Sequence, residues 1–156
     1  MGIQLGIIGY GGMGGFHHRN ASRIEGVQVI GAYDIDPVRV QVAEKNGIKG
    51  FSTLEELLSC DEINTVLVAV PNDKHMELCV EAANAGKHVI CEKPVAMNVR
   101  ELDQMIAAAG RNGKIFTVHQ NRRWDKDFRI VKKILDSGEL GKVYSIQSRL
   151  HGSGGV

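Results

Sequence analysis

The stretch "IQLGIIGYGGMGG", Ile3 to Gly15, decides the fold. An apolar run of strand length passes directly into a turn in which Gly9, Gly11 and Gly14 have the spacing G-x-G-x-x-G. Such a turn joins a buried strand to a helix. Its first glycine permits the bend, its second lets a pyrophosphate approach the main chain, and its third lets helix and strand pack closely. The helix N-terminus that follows offers unpaired N–H groups to phosphate oxygens. Alone the string is weak evidence. It gains force because Asp34 ends the next apolar segment, "VQVIGAYD", about 20 residues on, where a carboxylate can bond both ribose hydroxyls of an adenosine. Candidate cofactor contacts in this part of the chain are Gly9, Tyr10, Gly11, Gly12, Met13, Gly14, Asp34 and Ile35. The Asp34 carboxylate repels a 2′-phosphate and Ile35 is not a compensating arginine, which favours NAD over NADP, although Arg39, one helical turn on, could still reach that region.

Outward from this unit, apolar runs alternate with helical patterns. A helix over 13–24 leads to the strand at 27–34, then to a helix opened by Pro37 and closed by Gly47. A brief strand near Ile48 to Phe51 precedes a helix for which Ser52 and Glu55 form a capping box. "INTVLVAV" is the strongest strand pattern in the chain; a helix over 73–85 stops at Gly86 and a strand spans 87–91. Asn98 with Glu101 caps a helix running to about Asn112, and "KIFTVHQ" forms a sixth strand. Strands separated by helices pair in parallel through right-handed crossovers, so the expected fold is a doubly wound, three-layer α/β/α Rossmann sheet over residues 1–122. Residues 123–156 are expected to begin a second, α+β domain. They hold a helix, Asp125 to Ser137, with Phe128, Val131, Ile134 and Leu135 on one face, and then "KVYSIQSRLHG", a strand by the alternation of Tyr144, Ile146 and Leu150. That strand has no partner in the remaining sequence, so the chain reads as truncated within its second domain.

With 156 residues, 43% hydrophobic and 24% charged, and a formal net charge of +1, the composition is that of a soluble globular protein. Blocks of like charge are absent, and the basic stretch "NRRWDKDFRIVKK" is interleaved with acids and apolar residues, the pattern of a solvated helix face rather than a nucleic-acid surface. No segment has the length of a membrane span or the layout of a signal peptide, and a cytoplasmic location is expected. Cys60, Cys79 and Cys91 lack metal-ligand spacing and are expected to be reduced, mostly buried thiols.

In a doubly wound sheet ligands lie across the C-terminal strand ends, where the strand order reverses. For the order 3-2-1-4-5-6, adenosine lies over the second strand and nicotinamide points toward strands four to six. Those later ends are polar: "VPNDKH" from Val70 to His75, "CEKP" from Cys91 to Pro94, and "HQNRRW" from His119 to Trp124.

These three strings, together with the glycine turn, resemble the nucleotide-binding half of the Gfo/Idh/MocA family, named for glucose-fructose oxidoreductase and inositol dehydrogenase. The resemblance covers nearly the whole chain, and "EKP" after the fifth strand is its most specific mark. By position it places Val70, Pro71, Asn72, His75 and Gln120 beside the cofactor and Glu92 and Lys93 near the nicotinamide, with Lys93 the catalytic candidate, bonding the substrate hydroxyl or the nicotinamide ribose. It also implies a cis Lys93–Pro94 bond, an NAD-dependent oxidation of a secondary alcohol on a sugar or polyol such as a cyclitol, and a homo-oligomeric full-length protein. The family's proton-accepting histidine, assisted by an aspartate, comes from the second domain. No D-x-x-x-H pair follows the sixth strand here, so this chain is expected to bind cofactor without a complete catalytic site. Two other readings stand beside this one: a glycoside hydrolase of the same family that oxidises its sugar only transiently, and a redox-sensing or scaffold module without chemistry. No metal is expected. His17 and His18 lie in the first helix without a carboxylate or cysteine at ligand spacing and are read as solvent-exposed or helix-packing residues. Cys91 is read as a core residue, and Trp124 either covers the nicotinamide end or braces the helix after it.

Overall fold

The chain alternates strand and helix as β1 (Ile3–Ile8), α1 (Gly12–Ala21), β2 (Val27–Tyr33), α2 (Pro37–Lys45), β3 (Lys49–Phe51), α3 (Leu54–Leu58), β4 (Thr65–Val68), α4 (His75–Asn84), β5 (His88–Cys91), α5 (Val99–Arg111), β6 (Phe116–Val118) and α6 (Lys126–Ser137). The computed structural model describes residues 2–149. Six strands pair in parallel in the order β3-β2-β1-β4-β5-β6, the order expected of a Rossmann sheet.

Register places the strand ends in one row. Phe51 pairs with Tyr33, Tyr33 with Ile8, Ile8 with Val68, Val68 with Cys91, and Cys91 with Val118. The next residue of each strand therefore emerges on a single rim, and four of these are Asp34, Gly9, Glu92 and His119.

Both faces of the sheet are covered. Every residue of β4 is buried; Val66 and Val68 face a core shared with Leu57, Cys79, Val89 and Met105, while Leu67 joins Leu5, Ile7, Tyr10, Ala32 and Ala43 on the other side. This two-faced burial is why β4 reads as a continuous apolar run. Local signals set the helix ends. Asp36 accepts from Val38 N (3.0 Å) ahead of Pro37, and Asn98 and Glu101 form a reciprocal box, with Glu101 N donating to Asn98 Oδ1 (3.0 Å) and Met97 N donating to Glu101 Oε2 (2.9 Å). The α3 box falls one residue later than expected: Thr53, not Ser52, accepts from Glu56 N (3.1 Å), and Glu56 returns its carboxylate to Ser52 N (2.9 Å). With β3 ending at Phe51, Ser52 falls one residue ahead of the cap. Helix α1 ends at Ala21 rather than 24, where the Ser22 hydroxyl donates back to His18 O (2.9 Å).

A compact unit ends at His119, and a second begins at Gln120. The second holds a short 3-10 turn, Asn121–Trp124, and α6, closed by Gly138 in the left-handed conformation (φ 74°). The strand expected from Lys142 does not form among the described residues: 143–149 have no regular structure, and Leu150 to Gly152 lie outside those residues. A strand is made by ladder bonds to a neighbour, and apolar alternation alone supplies none.

The third glycine of the turn tests this packing. A Cβ on Gly14 would sit 2.0 Å from the Gly9 carbonyl oxygen, main chain that cannot swing away, whereas a Cβ on Gly12 would meet nothing within 4 Å. Gly14→Ala is expected to destabilise the protein by about 1–3 kcal/mol, as overpacking does. Gly12→Ala is expected to leave stability unchanged or slightly raised through helix propensity. Urea unfolding of the two variants against wild type checks the contrast.

Candidate functional site

Ladder bonds continue one residue past the strands and hold the rim together: Gly9 N donates to Tyr33 O (2.8 Å), Glu92 N to Val68 O (3.0 Å) and His119 N to Cys91 O (2.8 Å). At its centre the turn needs glycine twice. Gly9 has φ +91° and a Cβ there would lie 2.5 Å from Ala69 O, while Gly14 allows α1 to close on Gly9 as described. Gly11 and Gly12 stay accessible at the start of α1, whose first turn carries no acidic side chain to compete for an anion.

Asp34 is buried beside this turn. Its Oδ2 accepts from Tyr10 N (2.7 Å) and its Oδ1 from Asp36 N (2.9 Å). One main-chain donor per oxygen fixes the carboxylate and leaves each oxygen a lone pair for a hydroxyl. Arg39 Nη1 lies 3.7 Å from Asp34 Oδ2, and the same nitrogen is 2.7 Å from where a Cβ on Gly11 would stand, so the guanidinium reaches over the turn. Arg39 is half exposed, which screens its attraction to the carboxylate. Ile35 and Met13 are exposed nearby, at 90% and 41%.

The Tyr10 side chain turns away from the rim. It is buried in the core; Asn46 Nδ2 donates to its hydroxyl (3.2 Å), which donates to His18 Nδ1 (2.6 Å). Of Tyr10, it is the main chain that stands at the rim, its N–H bonded to Asp34. Burial, with help from Arg19, lowers the pKa of His18, consistent with a neutral ring that accepts this bond.

Beyond β5, Glu92 is 4% exposed and is the hub of a cluster missed by sequence reasoning. Its Oε1 meets His17 Nε2 at 2.6 Å and His119 Nδ1 at 2.9 Å, and its Oε2 accepts from Lys93 N at 3.0 Å. The two rings pack edge to face, 4.6 Å between centroids. His17 is thus not a solvent-exposed residue: its carboxylate partner comes from a strand 75 residues away in sequence. The signal that could have found it was geometric, a histidine one turn beyond Gly14 on the helix that starts at the rim. Two imidazoles and a carboxylate are also a possible metal-ligand set. Every polar atom that brings the three together is already used in a hydrogen bond, however, and a cation would have to displace both ring donors.

Burial would raise the pKa of Glu92, but the His17 hydrogen bond, the Lys93 N–H and the charge of His119 outweigh it, and the carboxyl lies below its ordinary value. Lys93 itself is exposed, and its peptide bond to Pro94 is cis. Pro71 and Asn72 are exposed after β4, with Val70 half-buried. His75 is different. It is 0% exposed and both ring nitrogens face main-chain carbonyls, Pro94 O and Val70 O, each at 3.0 Å. A ring so enclosed stands behind the segments after β4 and β5 rather than open at the rim. Gln120 and Trp124 are exposed residues of the second unit.

Residues 3–120 match the model of an oxidoreductase family described as GFO_IDH_MocA, NAD-binding Rossmann fold. Inositol 2-dehydrogenase of Salmonella typhimurium is 34% identical over 154 residues, which is 96% of this chain and 46% of that protein. Among solved structures, an NAD-binding protein from Listeria innocua superposes with a TM-score of 0.87 at 42% identity, covering 91% of this chain and 42% of that one. The WlbA dehydrogenase of Bordetella pertussis, crystallised with NADH and UDP-GlcNAcA, gives 0.84 at 29% identity, covering 92% and 42%. The chain thus spans just under half the length of the curated relatives it matches.

The lowered pKa of Glu92 has a signed consequence for stability. The contribution is complete above the unfolded carboxyl value, about 4.3, and is lost as pH falls through the lower folded value. Glu92→Gln keeps the shape but loses the charge and is expected to cost about 1–3 kcal/mol at pH 7. The gap between wild type and variant should narrow as unfolding is followed from pH 6 down to pH 3.

Proposed function

The chain belongs to the Gfo/Idh/MocA oxidoreductase family, and from that membership and the geometry of the rim we propose that it binds NAD and serves as the nucleotide-binding part of a dehydrogenase acting on a sugar- or cyclitol-like secondary alcohol. The observation that carries this reading is the Asp34 carboxylate, buried and oriented by two main-chain N–H groups, one of them from the glycine turn itself. The rim fits a dinucleotide: a Cβ at Gly9 or Gly14 would close the turn on main chain, and a free helix N-terminus follows it. When bound, the nicotinamide accepts hydride from the alcohol carbon.

The protein's own residues have separate tasks. N–H groups of the turn from Gly9 to Gly14 hold the pyrophosphate, and Asp34 accepts the adenosine ribose hydroxyls. Its negative charge repels a 2′-phosphate, and the exposed apolar side chain of Ile35 offers that group no partner. Val70, Pro71 and Asn72 border the middle of the crevice. Lys93, exposed beside a fixed Glu92, presents its ammonium to the substrate hydroxyl or to the nicotinamide ribose. Support for the substrate class comes from the relatives, an inositol dehydrogenase and a dehydrogenase crystallised with a nucleotide sugar. The chain by itself is proposed to bind cofactor without turnover, since the proton acceptor that completes the family's site is expected from a second domain.

Calorimetric titration tests the reading. NADH is expected to bind at least about tenfold more tightly than NADPH, a difference of about 1.4 kcal/mol. Asp34→Asn removes the repulsive charge and is expected to bring the two affinities together. Failure of the wild-type chain to bind either dinucleotide overturns the proposal.

A further inference from the structure

His75 has no role in the function as proposed, yet it is fully enclosed near the rim, at 0% exposed. Its Nε2 lies 3.0 Å from Val70 O, in the segment after β4, and its Nδ1 lies 3.0 Å from Pro94 O, in the segment after β5. A carbonyl oxygen can only accept. A neutral imidazole has one N–H and one bare lone pair, so in either tautomer one of these contacts would set lone pair against lone pair. Both are hydrogen bonds only if both nitrogens carry protons. Burying such a cation is costly unless its donors are paired, and here each donor is.

We propose that His75 is a buried imidazolium whose two N–H groups tie the Val70 segment to the Lys93–Pro94 segment, a positioning residue that holds two walls of the cofactor crevice in register. The positioning half rests on the NAD reading above; the protonation half does not.

The surroundings agree with a cation. The titratable group against the ring is Cys91 of β5, which meets Cys79 of α4 and precedes Glu92; the segments after β4 and β5 present carbonyls. The Cys79 thiol and the His75 ring outweigh burial and lower the Cys91 pKa, while Cys79 is pushed up. Cys91 Sγ also donates to Val95 O (3.7 Å). For His75, burial acts to lower the pKa, but Cys91 and the two carbonyls outweigh it and the net direction is up from 6.5. The stabilisation is therefore complete below about 6.5 and is lost as pH rises through the higher folded value.

The test is nitrogen NMR on the chain labelled with 15N-histidine, with the His75 resonances assigned by their loss in His75→Gln. At pH 7 both ring nitrogens are expected at protonated shifts and should lose a proton only above the ordinary histidine value. One protonated and one bare nitrogen at pH 7 overturns the imidazolium, and should the variant fold poorly the same ring nitrogens are assigned on wild type by through-bond correlation from the His75 backbone. NADH affinity is then followed across the same pH range. It is expected to weaken about tenfold as His75 loses its proton, the scale of one charged hydrogen bond, with a flat profile in a folded His75→Gln. A wild-type profile that stays flat through the His75 titration overturns the positioning role. Absence of NADH binding at every pH overturns the cofactor reading instead, leaving the imidazolium decided by its nitrogen shifts.

Discussion

Where α1 meets the sheet, Gly14 comes so close to Gly9 that a methyl group on it would overlap the Gly9 carbonyl oxygen, at 2.0 Å. The contact leaves no room for a side chain. Because it sets how near the helix approaches β1, it also sets where the rest of α1 falls. One turn on, His17 reaches Glu92 at the end of β5, and His18 lies beneath the turn against the Tyr10 hydroxyl. Glu92 in turn holds Lys93 N, so the orientation of the main chain at the catalytic candidate traces back through a histidine to a contact between two glycines. Loosening that approach would disturb the turn, the Tyr10–His18 bond and the Glu92 cluster together.

The rim carries two buried carboxylates, Asp34 and Glu92, each held in place by donors that the fold supplies. For Asp34 these are main-chain N–H groups, which hold an acceptor in place without cancelling its charge. A full counter-charge would have blunted the repulsion of a 2′-phosphate, and Arg39 stays at 3.7 Å and half exposed. For Glu92 the donors are two imidazoles and one N–H. The difference suits their places. The first carboxylate keeps lone pairs for a ligand, whereas the Oε1 of the second is already shared between two rings, so Glu92 shapes the site more than it offers itself.

The strand order and the positions of Asp34 and Glu92 were legible because they depend on local signals: glycine spacing, continuous apolar runs, and the rule that ligands gather at the C-terminal ends of parallel strands. The direction in which a side chain leaves that rim was not. Tyr10 sits within the glycine turn, yet its ring enters the core, a result of a hydrogen bond to a helix residue eight positions on. His17 and His119 meet Glu92 across 75 and 27 residues, and neither separation leaves a periodic trace. The capping box of α3 shifted by one residue because Ser52 and Thr53 can both cap and only the end of β3 decides between them. The expected strand after Lys142 failed for a related reason: alternation states which side could be buried, and pairing needs a neighbour.

The segment after β5 shows how an exposed lysine can still be well aimed. Lys93 N is held from one side by the Glu92 carboxylate, and the next carbonyl, Pro94 O, is held from the other by His75. Both anchors are side chains that can carry charge, of opposite sign, and both are removed from bulk water, where their bonds are least screened. The main chain on either side of the Lys93 Cα is therefore fixed while its side chain stays free to meet a ligand. Neither anchor could take the other's part: a carboxylate can only accept from the Lys93 N–H, and an imidazolium can only donate to the Pro94 carbonyl. A neutral amide at either position would keep the shape and lose much of the strength, which is why two ionisable residues, costly to bury, stand at this one strand end.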